Sequence, residues 1–197
     1  MQHTIITISR EYASGGRLIA QKLAQKLEIP FYDKEIIAMT ARKSGLSERF
    51  IQQAEHHVTG SFLYNLYFNT QSLPLSDQVF IAESNIIREV AAKGPCVIVG
   101  RCADYVLRDN PDCLHVFIHA PIEARMLRAQ TEYSVKADDL RGYVLKQDKS
   151  RANYYNYFTG GKWGVCQNYE LVVSSALGAQ TVVDMIALAC ERREARV

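Results

Sequence analysis

The sequence predicts a single α/β domain built on a mainly parallel sheet, and three observations predict it. A β-branched run, TIITI at residues 4 to 8, leads through a glycine-containing loop into a segment whose apolar residues recur every four positions. Further compact apolar runs follow Gly or Pro and lead in turn into helix-compatible segments. The length of 197 residues suits one domain with a substantial core and is short for two well-separated ones.

The first strand is assigned to TIITI because β-branched and isoleucine residues throughout suit a strand covered on both faces. SREYASGGR follows as a loop. From there Ile19, Leu23 and Leu27 share one helical face while Lys22 and Lys26 face solvent. A short strand around residues 29 to 32 fits the same scheme. Residues 34 to about 54 read as helical with a break at Gly45, and residues 77 to 92 as a helix carrying Val79, Ala82, Ile86 and Val90 on one side. Residues 59 to 74, with Phe62, Tyr64, Tyr67 and Phe68, show no clean period and read as an aromatic packing segment or a flap. Strands are expected at 95 to 99, 114 to 118 and 171 to 173. A helix from 137 to about 155 becomes polar and tyrosine-rich towards its end, and a last helix carries Val182, Ile186 and Ala189.

With 48% hydrophobic and 22% charged residues the composition is that of an ordinary globular chain, and a formal net charge of +2 without a dense basic stripe argues against nucleic-acid binding. The start, MQHTIITISREY, lacks the pattern of a signal peptide, and no apolar run is long enough to span a bilayer. The expected location is the cytoplasm. Five cysteines without a CxxC pair fit neither a disulfide framework nor a zinc site, and Cys96 and Cys113 read as core residues. The histidines, His56 and His57 among them, form no HExxH, and Ser9 and Ser14 lack a GxSxG setting, so no metal site and no acyl chemistry are expected.

The strongest local signal is the order strand, Ser14, Gly15, Gly16, helix. A helix N-terminus exposes unpaired N–H groups and a positive dipole end, and glycines let the backbone approach an anion closely. Arg10 and Arg17 flank the loop and suit bidentate contacts to phosphate oxygens. A tight turn with solvated arginines is the plainer alternative. The loop is not GxxxxGK[ST], because Gly16, Arg17 and Leu18 stand where the lysine and the magnesium-binding hydroxyl belong.

Other candidates follow the strands. Asp33 at the end of IPFY is placed to bond a sugar or substrate, or simply to cap a helix. Arg101 and Asp104 follow PCVIVG and so belong to the same crevice at the strands' carboxyl ends, a surface ion pair being the alternative. In DKSRANYYNYF, Asp148 and Arg151 share a helix face with Tyr155, beside the glycine-rich TGGKWG. That segment reads either as a solvated face or as a lid whose arginine neutralises a transferring phosphoryl group.

The stretches ITISREYASGGRLIAQKLAQKL, IPFYDKEII, VIVGRCADYVL, HVFIHAPIEARMLRA and KSRANYYNYFTGGKWGVCQNYELVVSS resemble the cytidylate-kinase-like family of P-loop nucleoside monophosphate kinases over nearly the whole chain. The resemblance implies a three-layer P-loop kinase-like fold, a five-stranded parallel sheet flanked by helices with a helical lid. It also implies one domain over residues 1–197, with an acceptor-side helical region at about 34–92 and a lid at about 132–165. The implied function is ATP- and Mg2+-dependent phosphoryl transfer to a nucleoside monophosphate, CMP or dCMP. Arg10, Ser14, Gly15, Gly16 and Arg17 then meet the ATP phosphates, Asp33, Arg101 and Asp104 the acceptor, and Arg17, Arg101 and Arg151 the transferring group. Arg125 and Arg128 follow the fourth strand on the way to the lid, and Lys149 lies near Arg151. The partners implied are small-molecule nucleotides, with neither nucleic acid nor membrane; oligomeric state is not implied. Two departures stand out. Arg17 is the candidate replacement for the absent lysine, one residue late in register, and Ala13 stands where this branch usually has glycine, which costs about 1 kcal/mol or more if the position needs a positive φ. The alternatives are a nucleotide-binding or regulatory protein that has lost the lysine, and a kinase for another small acceptor.

Overall fold

The computed structural model of the chain describes residues 4–54 and 73–194. The aromatic stretch at 59 to 74 lies, up to residue 72, outside the described residues, as do His56 and His57. Five parallel strands form one sheet: β1 (Ile5–Arg10), β2 (Phe31–Tyr32), β3 (Cys96–Val99), β4 (Cys113–His119) and β5 (Leu171–Ser174), in the order β2-β3-β1-β4-β5. The chain joins them through α1 (Gly16–Leu27), then α2 (Lys34–Ser44), α3 (Glu48–Ala54) and α4 (Leu75–Ala92), then α5 (Ala103–Val106), α6 (Ile122–Thr131) and α7 (Leu140–Thr159), and closes with α8 (Ala179–Glu194). The five-stranded parallel sheet flanked by helices, with helical lid-like elements, is the P-loop kinase-like three-layer fold.

Pleating sends alternate strand residues to opposite layers. Ile6 and Ile8 of β1 pack with Ile19 and Leu23 of α1 and with Val182 and Ile186 of α8. Ile5, Cys96 and Ile98 face the other way, onto Ile86, Ile87 and Val90 of α4. Each such side chain, taken fully out of water, contributes roughly 1.5–3 kcal/mol, which is why the strands read as unbroken apolar runs. Cys96 and Cys113 are core residues as expected, and Cys102 and Cys190 are buried too. Gly45 ends α2 in the left-handed conformation at φ 74°, the break anticipated between two helices. Among the described residues no helix is long and apolar enough to cross a membrane.

Two features of the sheet position the site. The chain leaves β1 for the β2 edge and later crosses β1 to reach β4, so its direction reverses around the central strand, where open α/β sheets leave a ligand crevice. Pairing of β1 with β3 ends at Ile8 and Val99, whereas pairing with β4 continues to Arg10 and Ile118. Ser9 and Arg10 therefore stand above a step in the sheet, over Gly100.

Candidate functional site

The loop from β1 to α1 is shaped by residues that must avoid side-chain collisions. Gly15 caps α1 at φ 82°, and a Cβ there would lie 3.3 Å from the Cζ of Arg128. The Ser14 hydroxyl accepts the N–H of Gly16 at 3.3 Å. Ala13 does take a positive φ, 56°, so the conditional strain of about 1 kcal/mol applies. Burial of its methyl with Ala129 and Val144 offsets part of that cost.

Three arginines from the helices beyond β4 dock on this loop. Arg128 donates to the Ala13 carbonyl at 2.8 Å, Arg125 to the Tyr12 carbonyl at 3.4 Å, and Arg151 to the Arg10 carbonyl at 2.9 Å. Asp148 ties the same helices to the loop by accepting the Tyr12 N–H at 2.7 Å and Arg125 at 2.5 Å. Asp148 and Arg151 thus do not form a solvated face. Burial pulls the Arg151 guanidinium below its ordinary pKa, with the Asp148 charge opposing.

A second cluster gathers at the ends of β2 and β3. Asp33 is buried and occupies the N-cap position of α2, yet its carboxylate caps nothing. It lies 2.6 Å from Arg17 Nε, 3.7 Å from Arg101 Nη1 and 3.9 Å from Arg10 Nη2. Arg101 also donates to the Asp33 carbonyl at 2.9 Å and pairs with Glu83 at 3.1 Å. The surface pairing of Arg101 with Asp104 allowed by the sequence does not occur. Gly100, Arg101 and Cys102 all have positive φ, at 77°, 53° and 53°, so the chain turns sharply out of β3 and delivers Arg101 towards Asp33.

Between the two clusters lies a cavity of about 210 Å³. Ser9, Arg10, Gly100 and Arg101 line it from the sheet; Ser150, Arg151, Tyr154 and Tyr155 line it from α7, with Trp163 beyond. It brings together Arg10, Arg101 and Arg151 of the expected set, with Asp33 behind the first two. Arg17 is not part of its lining: half exposed, it is turned to Asp33, with its guanidinium 6.0 Å from the Phe31 ring. Asp104 is buried below the cavity, where the Ser9 hydroxyl donates to it at 3.4 Å. Burial pushes its pKa up, the neighbouring Tyr155 hydroxyl pulling the other way. Beneath it Thr7 Oγ1 and His115 Nδ1 lie 2.7 Å apart.

The chemistry of this donor set favours an anion with several oxygens, since guanidinium groups match phosphate in a bidentate way. A protein-held magnesium ion does not fit. Arg17 stands in place of the hydroxyl residue, Ser14 already accepts a backbone N–H, and Asp33 and Glu83 are engaged by arginines. Among the described residues no group of three or more His, Cys, Asp or Glu side chains gathers for a metal.

Glu83 and Arg128 carry much of this geometry and were not singled out from sequence as site residues. Glu83 offered one signal: it interrupts the apolar stripe of α4 between Val79 and Ile86, and a buried carboxylate requires a cationic partner.

The model of the cytidylate kinase-like family matches residues 5–177. Among solved structures, an uncharacterized protein from Eubacterium ventriosum is similar at 29% identity and a TM-score of 0.73, over 96% of this chain and 99% of that chain. A shikimate kinase from Bacteroides thetaiotaomicron is similar at 14% identity and 0.56, over 95% and 98%, and a gluconokinase from Sinorhizobium meliloti at 15% and 0.55, over 96% and 93%. At those identities the two kinases bear on the fold alone. No curated protein matches the chain.

Proposed function

The chain belongs to the cytidylate kinase-like family, and from that premise we propose that it is a cytoplasmic kinase transferring the γ-phosphoryl group of ATP to a nucleoside monophosphate, CMP or dCMP. Phosphotransfer by a P-loop kinase-like protein is what family and fold support in general; the acceptor is the finer step. The observation that carries the reading is the cavity at the β1 and β3 ends, walled by Arg10, Arg101 and Arg151 from three separate elements. Three guanidinium groups facing one cavity suit an anion with several oxygens, because each can offer a bidentate pair of N–H groups to phosphate.

In this reading Arg10, Ser14, Gly15 and Gly16 hold the donor's phosphates, beside the positive dipole end of α1. Asp33 and Arg101 face the acceptor side formed by residues 34–92, and Asp104 steadies that side through Ser9. The lid, residues 132–165, brings Arg151 over the transferring group. An oxygen of the acceptor phosphate attacks the γ-phosphorus; the bond to the β,γ-bridging oxygen breaks, and ADP leaves with its electron pair. No protein nucleophile is needed, so the protein contributes by aligning both substrates and by neutralising charge with arginines. Magnesium enters as part of the MgATP substrate, held by phosphates and water, as this ion commonly is.

The missing lysine and hydroxyl favour a second reading, nucleotide binding without transfer. Phosphorus NMR with MgATP and a panel of nucleoside monophosphates separates the two. Acceptor-dependent ADP and nucleoside diphosphate, lost in Arg151→Ala, is the expected result. ATP binding without turnover for any acceptor would favour the binding role.

A further inference from the structure

We propose that Arg10 takes the place of the missing phosphate-loop lysine, and that Arg17 does not. The inference rests on the reading of the loop as an ATP phosphate site and names the cation that serves it. In GxxxxGK[ST] a glycine opens the motif and a lysine stands six positions later. Here the corresponding positions are Arg10 and Gly16, with Gly15 retained between them, so the two residue types have changed ends.

The structure gives this exchange a steric basis. A Cβ built on Gly16 would lie 2.8 Å from the Cβ and 3.2 Å from the Cγ of Arg10. Contacts that close exclude any side chain at 16 while Arg10 is present. The room above the first turn of α1, into which a lysine at 16 would grow, is filled by the Arg10 stem. The guanidinium then runs across Gly100, where a Cβ would also collide with it, and into the cavity wall beside Arg101 and Arg151. Gly16 and Gly100 are therefore the two faces of a channel that fits the Arg10 side chain. Arg17 points elsewhere, held by Asp33 at 2.6 Å and half exposed. Its work is to fix Asp33 on the acceptor side.

Calorimetric titration of the purified chain with MgATP, and with tripolyphosphate, tests the assignment. Arg10→Met should weaken both ligands about tenfold or more, the loss expected of a charge-assisted phosphate contact. Arg17→Met should weaken them less than about threefold. The double variant Arg10→Gly with Gly16→Lys should recover affinity that Arg10→Gly alone loses, because it removes the collision and restores the cation. Circular dichroism checks folding, and Arg10→Gln, which keeps a polar side chain without the charge, serves if the methionine variant is unstable. Equal losses at positions 10 and 17, a loss confined to Arg17→Met, or no rescue by the exchanged pair overturns the proposal. A wild-type chain that binds neither ligand overturns the ATP reading itself and the inference with it.

Discussion

Burial keeps the proton on Asp104 at pH values where an exposed aspartate has lost it, and this gives one residue a readable effect on stability. Its folded pKa lies above its unfolded one. Between those two values the unfolded chain has released a proton that the native chain retains, so stability falls as pH rises from the ordinary carboxylate range of about 4. Asparagine at 104 has no proton to release and escapes that fall. Asp104→Asn should therefore gain on the wild type in urea unfolding as pH rises above the ordinary carboxylate range, on the order of tenths to a few kcal/mol. A gap that stays constant, or one that runs the other way, would mean that burial does not raise the pKa of Asp104 in the native chain. At this scale the sequence was informative where a charged residue follows a strand, as Asp33 and Arg101 do, because parallel sheets open their crevices there. It offered Arg10 and Arg17 alike to the phosphates, while the structure turns Arg17 to Asp33 at 2.6 Å, because two arginines equally near a loop are separated only by which carboxylate each one reaches.

Helix α7 joins the site to α4 through two tyrosines one turn apart. Tyr154 donates to Glu83 at 3.1 Å and Tyr157 to Asp77 at 2.9 Å, both carboxylates lying fully buried on α4. A hydroxyl bond to a buried charged acceptor is worth more than a neutral one. Tyr157→Phe should cost about 1–3 kcal/mol in denaturant unfolding, and an unchanged midpoint would mean that Asp77 is satisfied by its other partners, Ser76 among them. The same helix shows where periodicity misleads. Residues past 150 read as a polar, tyrosine-rich fringe, yet α7 runs on to Thr159 because Tyr155 and Phe158 bury themselves, Phe158 stacking 4.1 Å from Phe80. Its start shifts from 137 to 140 because Asp139 caps it, accepting the Gly142 N–H at 2.8 Å. Compact apolar runs, by contrast, located β3, β4 and β5 to within a residue, and for the buried β3 and β4 the reason is that a strand covered on both faces leaves little room for polar residues.

Across the whole molecule, alternating strands and helices made the layered α/β class legible, while the pairing of β1 with both β3 and β4 is a long-range outcome that no local pattern encodes. The charge of the site was equally hidden. A net charge of +2 averages over the chain, yet Arg10, Arg101, Arg151, Arg125 and Arg128 converge on one loop and cavity from four elements or their ends. A polyphosphate that binds this cluster only in the native state must raise the unfolding temperature. At about a hundred times its Kd the gain is about 2.7 kcal/mol, which for a chain of this size amounts to roughly 5–10 °C. Added salt screens the attraction and weakens binding, so the same tripolyphosphate concentration should give a smaller shift in 0.5 M than in 0.05 M sodium chloride, where the screening length is several-fold longer. A differential scan across that salt series is the check. A shift that does not depend on salt would place the ligand at a site governed by shape and hydrogen bonds, and the arginines would then be balanced among the protein's own carboxylates.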